Sequence, residues 1–159
     1  MDAPVYLHPA TLADAGIISR IVERSIRVGC ALDHRNDPYL VTSWVDQRSA
    51  DRICAWLADS RHYLNIALLQ DKPVGAGMAM VGGDIAFCHV QPEWFRRGVG
   101  RAVMADLEGW LSMHGSIRSC LDSTRTGEAF YRRLGYRDST LPTLRNGPHA
   151  LPMHKGLAS

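Results

Sequence analysis

The segment Gln91-Pro92-Glu93-Trp94-Phe95-Arg96-Arg97-Gly98-Val99-Gly100-Arg101-Ala102 constrains this chain more than any other. It stands between an apolar run ending at Val90 and a stretch in which Val99, Val103, Leu107, Trp110 and Leu111 recur on one helical face. A strand, a glycine turn and an amphipathic helix in that order leave the first helical amides free to meet an anion, and the helix dipole favours negative charge there. The loop therefore reads as the seat of a phosphate-rich ligand; the competing reading is a tight turn solvated by Arg96, Arg97 and Arg101. A Walker loop would need Gly-Lys-Ser/Thr where Gly100-Arg101-Ala102 stands, and a dinucleotide fingerprint would need Gly or Ala at Val103.

The rest of the chain supplies a frame for that turn. Val5 to His8 reads as a strand, and Thr11, with Asp14 three residues on, as the capped start of a helix that buries Leu12, Ile17, Ile18, Ile21, Val22 and Ser25 and stops before Gly29. Cys30 to Trp44 is polar and reads as a surface loop or a broken helix, followed by a helix from Ser49 to Leu57. Tyr63–Leu69, Val74–Val81 and Asp84–Val90 are extended segments joined by connectors too short for anything but antiparallel neighbours. In the middle one, Gly75, Gly77 and Ala79 share a face opposite Val74, Met78 and Met80, so a helix or a ligand can approach the backbone closely. A strand over Ile117 to Leu121, a helix over Glu128 to Leu134 closed by Gly135, and a strand over His149 to Lys155 complete a mixed α/β domain.

With 159 residues the chain suits a single domain spanning 1–159. Its formal charge of +2, with both signs interspersed, provides no single-sign field of the kind nucleic acid selects. Cys30, Cys54, Cys88 and Cys120 form no Cys-x-x-Cys pair, so no metal site is expected, and they read as small buried side chains in a reducing compartment. Met1-Asp2-Ala3-Pro4 does not begin a signal peptide, and no apolar run is long enough for a membrane span, so the expected location is the cytoplasm, with no membrane partner.

Arg-Arg-Gly-Val-Gly-Arg-Ala opening a long helix after Val90 resembles the coenzyme A pyrophosphate loop of the GNAT (Gcn5-related N-acetyltransferase) superfamily, Gln/Arg-x-x-Gly-x-Gly/Ala. Ala129-Phe130-Tyr131-Arg132-Arg133-Leu134-Gly135-Tyr136 resembles the same family's Phe-Tyr-x-x-x-Gly-Phe segment. The order of elements agrees over nearly the whole chain. The resemblance implies a GNAT-like acyl-CoA N-acyltransferase fold, a central, mostly antiparallel sheet flanked by helices, and an acetyl-coenzyme A-dependent N-acetyltransferase. It places the cofactor on Arg96, Arg97, Gly98, Val99, Gly100, Arg101 and Ala102, with Cys88 and Val90 on the strand beside the pantetheine arm. Phe95 stands where the family has Gln or Arg, with Arg96 or Arg97 as substitutes, and Thr124 stands where many members have a cofactor-contacting Asn.

In the mechanism so implied an amine attacks the thioester directly, and Tyr131 protonates the departing thiolate, a task suited to a weak phenolic acid. Distance from the glycines places Asp84 where histone-type members carry a glutamate base, and alternation puts Asp84, Ala86 and Cys88 on one face. His89 has the more suitable side chain, but ideal alternation turns it to the other face unless a bulge intervenes. Glu93 is a third candidate, and a cysteine route through Cys88 lacks a cationic partner other than His89. Asp33, Asp37 and Tyr39 can hold an ammonium by charge and by an aromatic face, so the expected acceptor is a small-molecule amine. A protein N-terminus or lysine as acceptor, and an acyl-coenzyme A-sensing module without turnover, are the alternatives. A homodimer is an expectation from the resemblance alone.

Overall fold

A computed structural model describes residues 4–29, 37–140 and 151–157. Strand β1 (Val5–Pro9) leads through one turn of tighter helix, Leu12–Asp14, into α1 (Ala15–Arg24). The Thr11 N–H donates to Asp14 Oδ2 at 2.8 Å, which satisfies one of the amides a helix start leaves bare. Ile18, Ile21 and Val22 are buried at helical spacing, whereas Leu12, expected on that face, is 61% exposed because it lies in the tighter turn before α1, outside the 3.6-residue period. The helix closes in a widened turn over Ser25–Gly29.

Part of the segment read as a surface loop or a broken helix is a helix, α2 (Pro38–Asp46). Asp37 accepts a hydrogen bond from the Tyr39 N–H at 2.9 Å and Pro38 takes the first helical position, a start signal that the polar composition obscures. Helix α3 (Ala50–Leu57) follows, capped by Ser49. Then come β2 (His62–Leu69), β3 (Lys72–Met80), β4 (Asp84–Val90), α4 (Val99–Met113), β5 (Arg118–Ser123), α5 (Glu128–Arg133), the two-residue β6 (Arg137–Asp138) and β7 (Leu151–Gly156). Among the described residues no helix is long and apolar enough to cross a membrane.

Seven strands form one sheet in the order β1-β2-β3-β4-β5-β7-β6. All neighbours are antiparallel except β4 and β5. That parallel pair registers at a single position, Asp84 against Cys120, supported by the Cys120 N–H on the Gly83 carbonyl at 2.8 Å. Beyond it β4 runs toward Val90 without β5 alongside, so the sheet is split between these strands.

Each face of the sheet carries a core. On one, α4 lays Val99, Val103, Leu107 and Leu111 against Ala67, Ala79 and Leu121. On the other, α1 and α3 bring Ile18, Ile21 and Ile53 against Leu64, Met78 and Phe87. The small face of β3 receives a helix: a Cβ on Gly77 would lie 2.6 Å from Val103 Cγ1 and 2.7 Å from Leu107 Cδ1.

Two bulges re-aim side chains that simple alternation misplaces. The first, opposite Ala67 and Leu68, turns Val74 into the α4 core. The second makes Met78 pair Phe87 while Ala79 pairs Ile85, leaving Ala86 as the extra residue. Ile85 and Cys88 accordingly pack on the α4 side, whereas Phe87 packs on the α1 side. Asp84, paired with Met80, and His89, paired with Ala76, share the α1 face, so the expected grouping of Asp84 with Cys88 is corrected.

Candidate active site

The end of β4, the start of α4 and the helix α5 converge on the split. Gln91 anchors the chain as it leaves β4: its N–H bonds the Val74 carbonyl at 2.8 Å and its side-chain amide bonds the Pro73 carbonyl at 3.0 Å. A single turn, Pro92–Trp94, then redirects the backbone, and Arg96 and Gly98 adopt φ of 64° and 79°. Gly98 is the N-cap of α4, with no side chain to bond the first amides. The Ala102 N–H is bonded to the Gly98 carbonyl at 3.0 Å, so the amides of Val99, Gly100 and Arg101 lie ahead of the helical ladder and suit an anion.

Charge around this turn is positive. Arg96, Arg97 and Arg101 are exposed, and the Arg97 guanidinium sits 5.2 Å above the Trp94 ring. The adjacent carboxylate, Glu93, is ion-paired with Arg24; its own backbone N–H, followed by Arg24, holds its carboxyl below the usual range, which makes it a poor proton acceptor. Phe95 is 46% exposed at the position where the resemblance calls for Gln or Arg.

Gly100 ties the loop to the catalytic candidates. A Cβ there would stand 3.0 Å from Phe130 Cζ and 3.6 Å from Val90 Cγ2. Cys88 Sγ lies 3.9 Å from the Gly100 carbonyl, and burial pushes its thiol up to about 12, so it is a packing group rather than a nucleophile. Cys54, Cys88 and Cys120 are free and only half-buried as residues, which corrects the expectation of buried side chains, and Cys30 lies outside the described residues.

Tyr131, the chain neighbour of the Phe130 at this junction, is half-buried, its ring edge-on to Phe130 at 5.0 Å and to Tyr136 at 5.8 Å between centroids. The turn before it is closed by Thr124, whose hydroxyl accepts the Gly127 N–H at 3.0 Å. Thr124 therefore shapes the helix carrying Tyr131.

The candidate bases lie at opposite ends of β4. Asp84 occupies the end that still pairs with β5. His89 is at the open end, roughly 15 Å away along the strand, with its Nδ1 2.9 Å from the Ser25 hydroxyl and its ring stacked on Phe87. Ser25, expected on the buried face of the first helix, is indeed buried, in the turn just after α1; its link to His89 has no signal in the sequence. Of the proposed substrate contacts, Asp37 caps α2, Tyr39 on that helix is 88% exposed, and Asp33 lies outside the described residues. No group of three or more His, Cys, Asp or Glu side chains among the described residues is arranged to hold a metal ion.

Over residues 32–157 the sequence matches the family model of the acetyltransferase (GNAT) domain. The chain belongs to the GNAT family. Among curated proteins none matches this sequence. Solved GNAT structures share its fold: a GCN5-related N-acetyltransferase from Rhodopseudomonas palustris is 24% identical, with a TM-score of 0.83 over 99% of this chain and 98% of that one. The PaiA N-acetyltransferase of Thermoplasma acidophilum, solved with coenzyme A, is 13% identical with a TM-score of 0.83 over 96% and 99% of the two chains. The ribosomal-protein-S18-alanine N-acetyltransferase of Escherichia coli is 16% identical, with a TM-score of 0.66 over 98% and 96%. The GNAT assignment gives the bare amides of α4 a ligand of the right chemistry, since the pyrophosphate of acetyl-coenzyme A is the anion such a turn suits.

Proposed function

We propose that this GNAT protein moves the acetyl group of acetyl-coenzyme A onto a primary amine of a small molecule by direct attack, without a covalent enzyme intermediate. The observation that carries the reading is the uncapped first turn of α4 beside a sheet split at β4, with Phe130, the chain neighbour of Tyr131, against Gly100 of that turn. When bound, the cofactor supplies an activated thioester.

This chain's residues do the rest. The amides of Val99, Gly100 and Arg101 hold the pyrophosphate, aided by Arg96 and Arg97. Backbone N–H groups of β4 toward Val90, with no β5 strand alongside, hold the pantetheine arm and stabilise the oxyanion as charge develops. Tyr131 donates the proton that the departing sulfur needs. His89, fixed by Ser25 on the face away from α4, takes the proton from the attacking amine. Asp84, at the paired end of the split, is the less favoured base. Asp84, paired with Met80, and Asp122, next on its strand to the Leu121 that packs on the α4 side, lie on that same face and suit a cationic acceptor.

Calorimetric titration with acetyl-coenzyme A tests the cofactor site, with a folded Gly98→Val/Gly100→Val variant in parallel. Losing even one charge-assisted amide contact of about 1.5–3 kcal/mol weakens binding by roughly 10- to 100-fold. A panel of polyamines, amino acids and short peptides, followed by free thiol release, then tests the acceptor. No binding to the parent ends the acetyltransferase reading. Binding without turnover on any amine favours a sensing module, and turnover on peptides alone moves the acceptor to protein.

A further inference from the structure

Tyr136 stands where the resembling segment has Phe, so this chain carries one hydroxyl more than its motif needs. A hydroxyl in a core is costly unless bonded. Tyr136 is 2% exposed and fully engaged: it donates to Glu108 Oε2 at 2.8 Å and lies 2.6 Å from the buried Ser119 hydroxyl. Because the carboxylate takes the phenolic proton, Ser119 is the donor to the phenol oxygen. Glu108 Oε1 in turn accepts from Lys155 Nζ at 2.9 Å, and that ammonium lies 5.7 Å from the centre of the Tyr136 ring. Burial first, and then the Glu108 charge, keep the Tyr136 phenol protonated far above its ordinary range.

The ring is thus pinned from β5, α4 and β7 together, whereas a phenylalanine would lose both hydroxyl bonds and keep only packing and the Lys155 ammonium over its face. What it pins lies on its other side. The Tyr131 ring meets it at 71°, and the Tyr136 N–H bonds the Tyr131 carbonyl at 3.1 Å. We propose that Tyr136, with Ser119, Glu108 and Lys155 behind it, is a positioning residue that sets the place of the Tyr131 phenol. The inference rests on the acid role assigned to Tyr131 above. Proton donors work within hydrogen-bond reach, and a displacement of about 1 Å can cost on the order of 100-fold in rate.

The test is Tyr136→Phe in protein labelled with carbon-13 at the tyrosine ζ carbons, the Tyr131 resonance being identified by its loss in Tyr131→Phe. The expected result is a shifted or broadened Tyr131 resonance, unmoved resonances for the exposed Tyr6 and Tyr39, and an acetyl-coenzyme A Kd changed less than about twofold. In turnover with an accepted amine, Tyr136→Phe lowers kcat about tenfold in the parent and not at all in Tyr131→Phe, since the two act as a unit. An unmoved Tyr131 resonance in folded Tyr136→Phe overturns the proposal, as does an equal loss of kcat in both backgrounds. Full activity in Tyr131→Phe instead overturns the acid role and leaves the ring placement to be decided by the resonance. If Tyr136→Phe does not fold, Ser119→Ala retains the Glu108 bond and is read the same way, with a smaller shift.

Discussion

Two pairs of glycines, Gly75 with Gly77 and Gly98 with Gly100, serve α4 in opposite ways. On β3 the missing side chains leave room for the helix: a Cβ on Gly75 would stand 2.8 Å from Val99 Cγ1, and one on Gly77 closer still to Val103 and Leu107. At the first turn of α4, Gly98 faces open space and its constraint is the backbone, with φ at 79°. One pair draws the body of the helix down onto the sheet, and the other leaves its first amides bare for a ligand. A glycine thus marks a packing seat where a neighbour fills the space, as at Gly75, Gly77 and, against Phe130, Gly100, and an open turn where none does, as at Gly98.

The sharpest way to break this comparison is Gly77→Val. A branched side chain at that seat overpacks the α4 core, and a loss of about 3 kcal/mol or more is expected in urea unfolding. A loss below about 1 kcal/mol would mean that α4 can rise off the sheet and that Gly77 is no seat.

Gly109, on the exposed side of α4, is the opposite control: a Cβ there meets nothing within 4 Å. Gly109→Ala should raise stability by about 0.5–1 kcal/mol through helix propensity, read from the same unfolding curves. Acetyl-coenzyme A binding should not change.

The smallest effect is expected at Cys88, which sits where the packed and the presented regions meet. With its thiol pushed up to about 12 from 9.0, it should resist iodoacetamide at pH 8.5 while the protein is folded and react once urea is added. The sign of the linked stability follows from that shift. The unfolded thiol ionises first, so the contribution is complete below pH 9.0 and is lost as pH rises toward 12. Rapid labelling of the folded protein at Cys88 would show that the junction of β4 and α4 opens.

Much of the fold was legible because strong local signals agree with it. Val99, Val103, Leu107 and Leu111 are buried on α4 as their spacing predicts, and Gly135 ends α5 with φ at 100°. Helix α2 was legible only as one of two readings, a loop or a broken helix: Asp37 and Pro38 signal a turn and a helix start equally well, and among its described side chains only Val41 is buried. The two-residue β6 lies below the length at which a strand pattern can be read.

The site divides along the same line. Gly98, Gly100 and Tyr131 are readable because a bare helix start and a tyrosine in a motif are properties of contiguous residues. The facing of Asp84 and His89 was not readable. It depends on Ala86 finding no partner on β3, and register belongs to two strands rather than to one. Ser25 against His89 and Glu108 against Tyr136 span 64 and 28 positions, beyond any local pattern.

By itself, then, the sequence determined the order of the main elements apart from α2 and β6, the turn that suits a phosphate and the family to which they belong, because local geometry and backbone amides need only neighbouring residues. The tertiary structure alone decided which face carries the candidate base, that a helix fills the glycine face of β3, and what holds Tyr131 in place. Those depend on pairing and packing between segments far apart in the chain.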